Sequence, residues 1–145
     1  MKILFAVDGS PFTTKAAKYL VAYLKQFREA PELHLLHVKS PIPAGLAVAR
    51  AKAILGNDAV DSYYQKDAAA ALAPAEKVLS KHGLPFEASF KVGEISHEIQ
   101  AYVSKKKIDM VVMGSHGHGA LAGVVLGSVA TKVLASTTVP VLIVR

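Results

Sequence analysis

The chain has no cysteine, and no acidic residue follows Asp109. Without cysteine there are no disulfides and no thiolate chemistry, and an intracellular home is the simplest reading. No apolar run reaches the roughly eighteen residues that a transmembrane helix needs, so no membrane association is expected. The opening MKILFAVDGS does not read as a signal peptide, because Asp8 and Gly9 cut its apolar stretch short. A cytoplasmic location is expected.

What is there is ordinary for a globular chain: 145 residues, 52% apolar and 19% charged, enough for one domain with a real core. The net charge of +6 raises the question of a nucleic-acid partner. The lysines are scattered, however, and their only run, Lys105 to Lys107, falls at the end of a helical pattern, where cations complement the helix dipole. A nucleic-acid partner is therefore not expected. A mild positive field suits a small anionic ligand.

Hydrophobic periodicity orders the chain β-α-β-α-β-α-β-α-β. Lys2 to Val7, Leu33 to Val38 and Ile108 to Met113 are short, nearly all-apolar runs that read as buried strands. Pro85 to Val92 alternates, with Phe86, Ala88, Phe90 and Val92 expected inward and Lys91 outward, as at a sheet edge. Val139 to Val144 is the last strand, and Pro140 pushes it to an edge or a strand start. Between them, Ser10 and Pro11 open a helix with Ala16, Ala17, Leu20, Val21, Leu24 and Phe27 at helical spacing. Ser40 to Asn57 reads as irregular with a short helix around Val48 to Leu55, and its position suggests a flap over the crevice. Asp58 to His82 reads as helix closed at Gly83, with a kink, or a second helix starting, at Pro74. Gly93 to Lys107 and Ser128 to Ser136 supply the last two helices. The expected fold is α/β: a five-stranded parallel sheet in the order 3-2-1-4-5 with helices on both faces. Its ligand crevice lies where the winding reverses, beyond the ends of strands one and four, with Val38 ending strand two beside them.

Five of the ten glycines lie between Gly114 and Gly127, just ahead of the last helix. That helix starts Gly127-Ser128-Val129-Ala130-Thr131, with no acid in its first turn. A helix start with unpaired N–H groups and partial positive charge is an anion site, and phosphate is its commonest occupant. A turn-forming role for the glycines and ordinary capping by Ser128 is the competing reading. A Walker loop is excluded, because no Lys follows Gly127. Gly117, Gly119 and Ala122 match a dinucleotide fingerprint, but the acid it requires downstream is missing.

The spacing Gly114-x-x-Gly117, nine residues, then Gly127-Ser128 resembles the nucleotide signature of the universal stress protein family, in its ATP-binding branch. ILFAVDGS with Asp8, LHLLHV and the closing VPVLIV are similar too, so the resemblance covers essentially the whole chain. It implies ATP bound with a Mg or Mn ion on its phosphates. It places Val38 against adenine, Asp8 and Gly114 near the ribose, and Gly117, Gly127, Ser128 and Val129 on the phosphates. Ala6, Val7 and Met113 complete the expected site at the strand ends. The resemblance also implies a homodimer through the last strand, with Val139, Val141 and Ile143 at the contact. It carries no role onto residues 40–57.

Other residues invite blander readings. His116 and His118 lack a third ligand nearby and are expected to be exposed loop residues that brush a phosphate. Tyr63 and Tyr64 read as packing. Asp8 reads as a ribose acceptor, since no second acid or activated nucleophile accompanies it. The expected function is a nucleotide-dependent regulatory or stress-response module with slow or no hydrolysis. The alternatives are a weak ATP hydrolase or nucleotidyl-transferring enzyme at the same site and, behind it, a dimeric scaffold with an empty crevice.

Overall fold

The computed structural model describes residues 1–119 and 125–145. Its elements run β1 (Lys2–Val7), α1 (Pro11–Leu24), β2 (Glu32–Lys39), α2 (Leu46–Leu55), α3 (Asn57–Lys81), β3 (Glu87–Val92), α4 (Ile95–Lys106), β4 (Met110–Gly114), α5 (Ser128–Ser136) and β5 (Val141–Val144). The five strands form one parallel sheet in the order β3-β2-β1-β4-β5.

The two-residue period of β1 sorts its side chains onto two cores. Ile3, Phe5 and Val7 face α1 and α3, together with Leu20, Leu35, Leu79 and Val112. Leu4 faces α4 and α5, with Leu36, Ile99, Val111 and Val133. Being covered on both faces is why β1 and β4 carry almost no polar residue, while β2 buries two histidines, His34 and His37, among its leucines. The connections out of β1 and β4 leave toward opposite faces, so a crevice opens beyond their C-terminal ends.

Several expectations need correction. The helix through Pro74 is one continuous element, α3, and no second helix starts there. Its own Leu72, Ala75 and Leu79 are buried in the core with Phe5, Leu20 and Leu35, and that packing outweighs the hydrogen bond that proline cannot donate. The Gly83 stop holds: Gly83 and Leu84 donate to the carbonyls of Ser80 and Leu79, with Gly83 at φ 66°. Ser10 occupies the N-cap position of α1, but its side chain caps nothing. The Thr13 N–H that a cap would accept from donates instead to the Ser10 carbonyl at 2.9 Å. The third strand starts at Glu87, and its apolar residues do not all turn inward. Phe90 and Val92 are 37% and 38% exposed, because at the sheet edge the helical layer ends. The last strand starts after Pro140, which leaves Val139 outside it, half-buried against the α4–α5 core.

Residues 40–57 contain α2, which packs against α3. The segment is also pinned by Tyr64, whose hydroxyl accepts the Ile42 N–H at 2.9 Å.

Gly9 sits at φ 77°, directly under α3. A Cβ there would lie 2.8 Å from the Ala71 Cα, a backbone atom that cannot step aside. Gly9→Ala is expected to lose about 2–4 kcal/mol through strain and overpacking together. Urea denaturation measures this; an unchanged midpoint would mean that α3 does not hold this close approach.

Candidate functional site

A cavity of about 290 Å³ occupies the crevice. Its floor is apolar: Ala6, Leu36, Val38, Ile95, Ile99 and Met113. Its rim is polar backbone and small side chains from the ends of β1 and β4 and from the start of α5. All ten residues expected from the sequence line it: Ala6, Val7, Asp8, Val38, Met113, Gly114, Gly117, Gly127, Ser128 and Val129. Thr13, Ile95, Ile99 and Ser115 also line it but were not expected there. Ile95 and Ile99 are legible only as the inward face of a helix, and no local pattern says that this face also floors a cavity. Among the described residues, none from 40–57 lines it, so the flap reading has no support in the geometry. Ala122, from the excluded dinucleotide match, lies outside the described residues.

Asp8 is held from several sides. Its Oδ1 accepts the Ser10 N–H and the Thr13 hydroxyl, both at 2.9 Å. Its own N–H donates to Thr13 Oγ1 at 3.2 Å, and its carbonyl accepts from His118 Nε2 at 2.8 Å. The other carboxylate oxygen, Oδ2, faces Gly117. A Cβ at Gly117 would stand 2.6 Å from it, and no other atom comes closer than Asp8 Cγ at 3.8 Å. Gly117 is therefore small for the sake of Asp8.

The other glycines of the signature answer to packing. A Cβ at Gly114 would meet the Cβ of Phe12 at 2.7 Å. At Gly127 it would lie 3.1 Å from the Ser115 carbonyl, which accepts the Gly127 N–H at 2.8 Å and closes the loop at its base. The turn-forming reading thus suffices for these two positions. Packing does not account for the helix start itself. Gly127 caps α5 without a side-chain bond, and the first turn holds no acid. Ser128 and Val129, whose N–H groups belong to the opening turn of the helix, line the cavity.

His118 is exposed, as expected, but His116 is half-buried. Its ring lies 5.2 Å from that of Phe12 in α1, and Nδ1 bonds Ser115 Oγ at 3.0 Å.

Beside Asp8, sequence reasoning missed a buried polar group altogether. His37, on β2, places Nδ1 2.9 Å from the Val7 carbonyl and Nε2 3.0 Å from Asp67 Oδ2 on α3. Lys39 Nζ holds Asp67 Oδ1 at 2.8 Å. Burial raises the Asp67 carboxyl, but the bonds from Lys39 and His37 outweigh it and bring it below its ordinary value. Thirty residues separate His37 from Asp67, and no spacing rule connects them.

Among the described residues, one cluster elsewhere has metal-ligand chemistry: Glu32, His34 and Glu87, with ligand atoms within 4.8 Å of one another. It lies at the starts of β2 and β3, the opposite end of the sheet from the cavity. The carboxylates are paired with Lys2 at 3.4 Å and Lys106 at 2.7 Å, which makes it a charge clamp on the edge strand.

Comparison with known proteins bears on the crevice. A family model described as the universal stress protein family matches residues 1–145. The chain belongs to that family. Universal stress protein YxiE of Bacillus subtilis is 32% identical over 99% of this chain and 98% of its own. Among solved structures, hypothetical protein MJ0577 is 28% identical with a TM-score of 0.73, covering 99% of this chain and 94% of that one. An Arabidopsis thaliana member, solved with AMP bound, shares the fold at 20% identity and a TM-score of 0.63, over 99% of this chain and 90% of its own. Among the described residues, no helix is long and apolar enough to cross a membrane.

The depressed carboxyl of Asp67 has a definite pH signature. A carboxyl lowered in the folded state favours folding above its ordinary value, and the advantage is lost as the pH falls through the folded value. The stability gap between wild type and Asp67→Asn is expected to be widest near neutrality and to close as the pH falls below about 4. Urea melts at a series of pH values measure it. A gap that stays constant into acid would mean that Asp67 is not ionised in the folded protein.

Proposed function

We propose that this chain binds an adenine nucleotide in the crevice, ATP with Mg or Mn on its phosphates, and acts as a nucleotide-dependent regulatory or stress-response module in the cytoplasm. One arrangement carries the reading. An acid-free helix start stands across a cavity from Asp8 Oδ2, with an apolar floor between them. An adenosine phosphate has matching parts: a flat apolar base, vicinal hydroxyls that donate to a carboxylate, and an anion for the helix start. Adenine lies against Val38, the ribose at Asp8 and Gly114, and the phosphates at Gly117, Gly127, Ser128 and Val129. That an Arabidopsis relative holds AMP supports an adenine nucleotide.

Turnover is slow or absent on this reading. Phosphoryl transfer needs a cationic clamp and a group that activates the nucleophile. Among the described residues, no Lys or Arg lines the cavity, and its titratable side chains are Asp8, His116 and His118. Asp8 is already committed to Ser10 and Thr13 through Oδ1.

A homodimer through β5 completes the proposal. Among the described residues β5 is a sheet edge, with no strand partner on one side of its backbone, and Val141 and Ile143 are only half-buried. Val139 flanks the contact from outside the strand.

Ser128→Asp separates binding from folding. Ser128 is exposed at the first position of α5, where a carboxylate suits the helix dipole. The melting temperature is expected to hold or rise slightly, while affinity for Mg-ATP falls at least about tenfold, the effect of roughly 1.4 kcal/mol. Calorimetric titration measures this, alongside mass spectrometry of nucleotide released from denatured wild type. Wild type that neither carries nor takes up adenine nucleotide would sink the reading. Ile143→Lys is expected to convert a sedimenting dimer to monomer at micromolar concentration; a wild type that is already monomeric there removes the dimer.

A further inference from the structure

The surroundings of His37 contain a chemical contradiction that only a proton resolves. His37 is 5% exposed, and each ring nitrogen stands at hydrogen-bond distance from an oxygen. The Val7 carbonyl can only accept. Asp67 is held ionised by Lys39 and can also only accept. A neutral imidazole has one N–H donor, so it satisfies one of the two oxygens and turns a lone pair on the other. The imidazolium has two donors and satisfies both.

The Val7 carbonyl belongs to the same peptide unit as the Asp8 N–H, and that N–H donates to Thr13 Oγ1. The plane carrying Asp8 into the crevice is therefore gripped on one side by Thr13 and on the other by His37. His37 also immediately precedes Val38, another residue of the cavity wall. On its far side it reaches α3 through Asp67.

We propose that His37 is a positioning residue that, when protonated, locks the end of β1 to α3 and so tightens the crevice for its nucleotide, making affinity fall as pH rises. The affinity part rests on the nucleotide reading above; the lock itself does not. The groups facing the ring are Asp67 from α3, Lys39 from the same strand, and Asp8 and His118 around the adjoining cavity. Its neighbour on β3, Phe90, is apolar. Asp67 holds Lys39 charged, and imidazole is the side chain whose ordinary value lies near neutrality; of the two imidazoles here, His37 and His118, Asp67→Asn alters the partner of His37 alone.

Asp67→Asn tests the idea without removing the ring. The Asn amide can donate to Nε2 while its oxygen still accepts from Lys39, so a neutral His37 bonds both partners and the contradiction disappears. Titrate wild type and Asp67→Asn with Mg-ATP at about pH 6 and about pH 8.5, bracketing imidazole titration. Comparing the two proteins at each pH cancels the ionisation of ATP itself. Wild type is expected to weaken with rising pH about three- to tenfold more than the variant, the worth of one hydrogen bond. Parallel profiles would overturn the proposal. If neither protein binds, the nucleotide reading fails, and the lock is judged separately by NMR of the nucleotide-free protein. At about pH 6 the wild-type His37 ring is expected to carry protons on both nitrogens, and the Asp8 amide signal to follow the titration of the ring, which it does not in Asp67→Asn. A neutral ring at that pH, or an Asp8 amide indifferent to it, overturns the lock.

Discussion

The peptide bond between Val7 and Asp8 is held on both sides, its carbonyl by His37 at 2.9 Å and its N–H by Thr13 at 3.2 Å. It lies where β1 runs out of the sheet, with β2 and β4 on either side and both faces covered. Backbone polar groups that leave a sheet in a half-buried place must find other partners. Here the partners are side chains from α1, β2 and the loop after β4. In satisfying the backbone they also orient one carboxylate, so that Oδ1 is occupied and Oδ2 faces the crevice.

The opposite wall follows a different rule. The loop after β4 is closed at its base by the Gly127 N–H on the Ser115 carbonyl, and Ser115 is anchored by its own N–H on the Val144 carbonyl at 2.8 Å. Gly114 and Gly127 are glycines because backbones and Phe12 approach them closely. Their presence would be needed in an empty crevice too. The absence of acid from the first turn of α5 is not a packing requirement, since a carboxylate there would help the helix. That omission is the more informative signal about a ligand.

The fold was legible because each of its signals is local. The nearly unbroken apolar runs of β1 and β4 and the leucine-rich LHLLHV of β2 mark central strands, Pro140 marks an edge, and right-handed crossovers leave few ways to arrange the rest. The crevice residues were legible for the same reason: the switch point of such a sheet follows from its strand order. What went astray was settled between elements. Ser10 reads as a cap, yet its neighbour Asp8 organises the turn. Pro74 reads as a kink or the start of a second helix, yet α3 runs through it as one element. Phe90 reads as inward, yet no helix extends far enough to cover it.

The sequence by itself determined the strand order, the end of the sheet at which the crevice opens, and the bare helix start of α5. These follow from periodicity, chirality and the lack of acid after Asp109, all of which can be read along the chain. Only the tertiary structure decided that His37 lies between Val7 and Asp67, and that Gly117 clears space for Asp8. Those contacts join residues that are 30 and more than a hundred positions apart, brought together by the packing of α3 on β2 and of a loop over β1. A hydrogen bond depends on position to a few tenths of an ångström, and position at that precision exists only once the layers have packed.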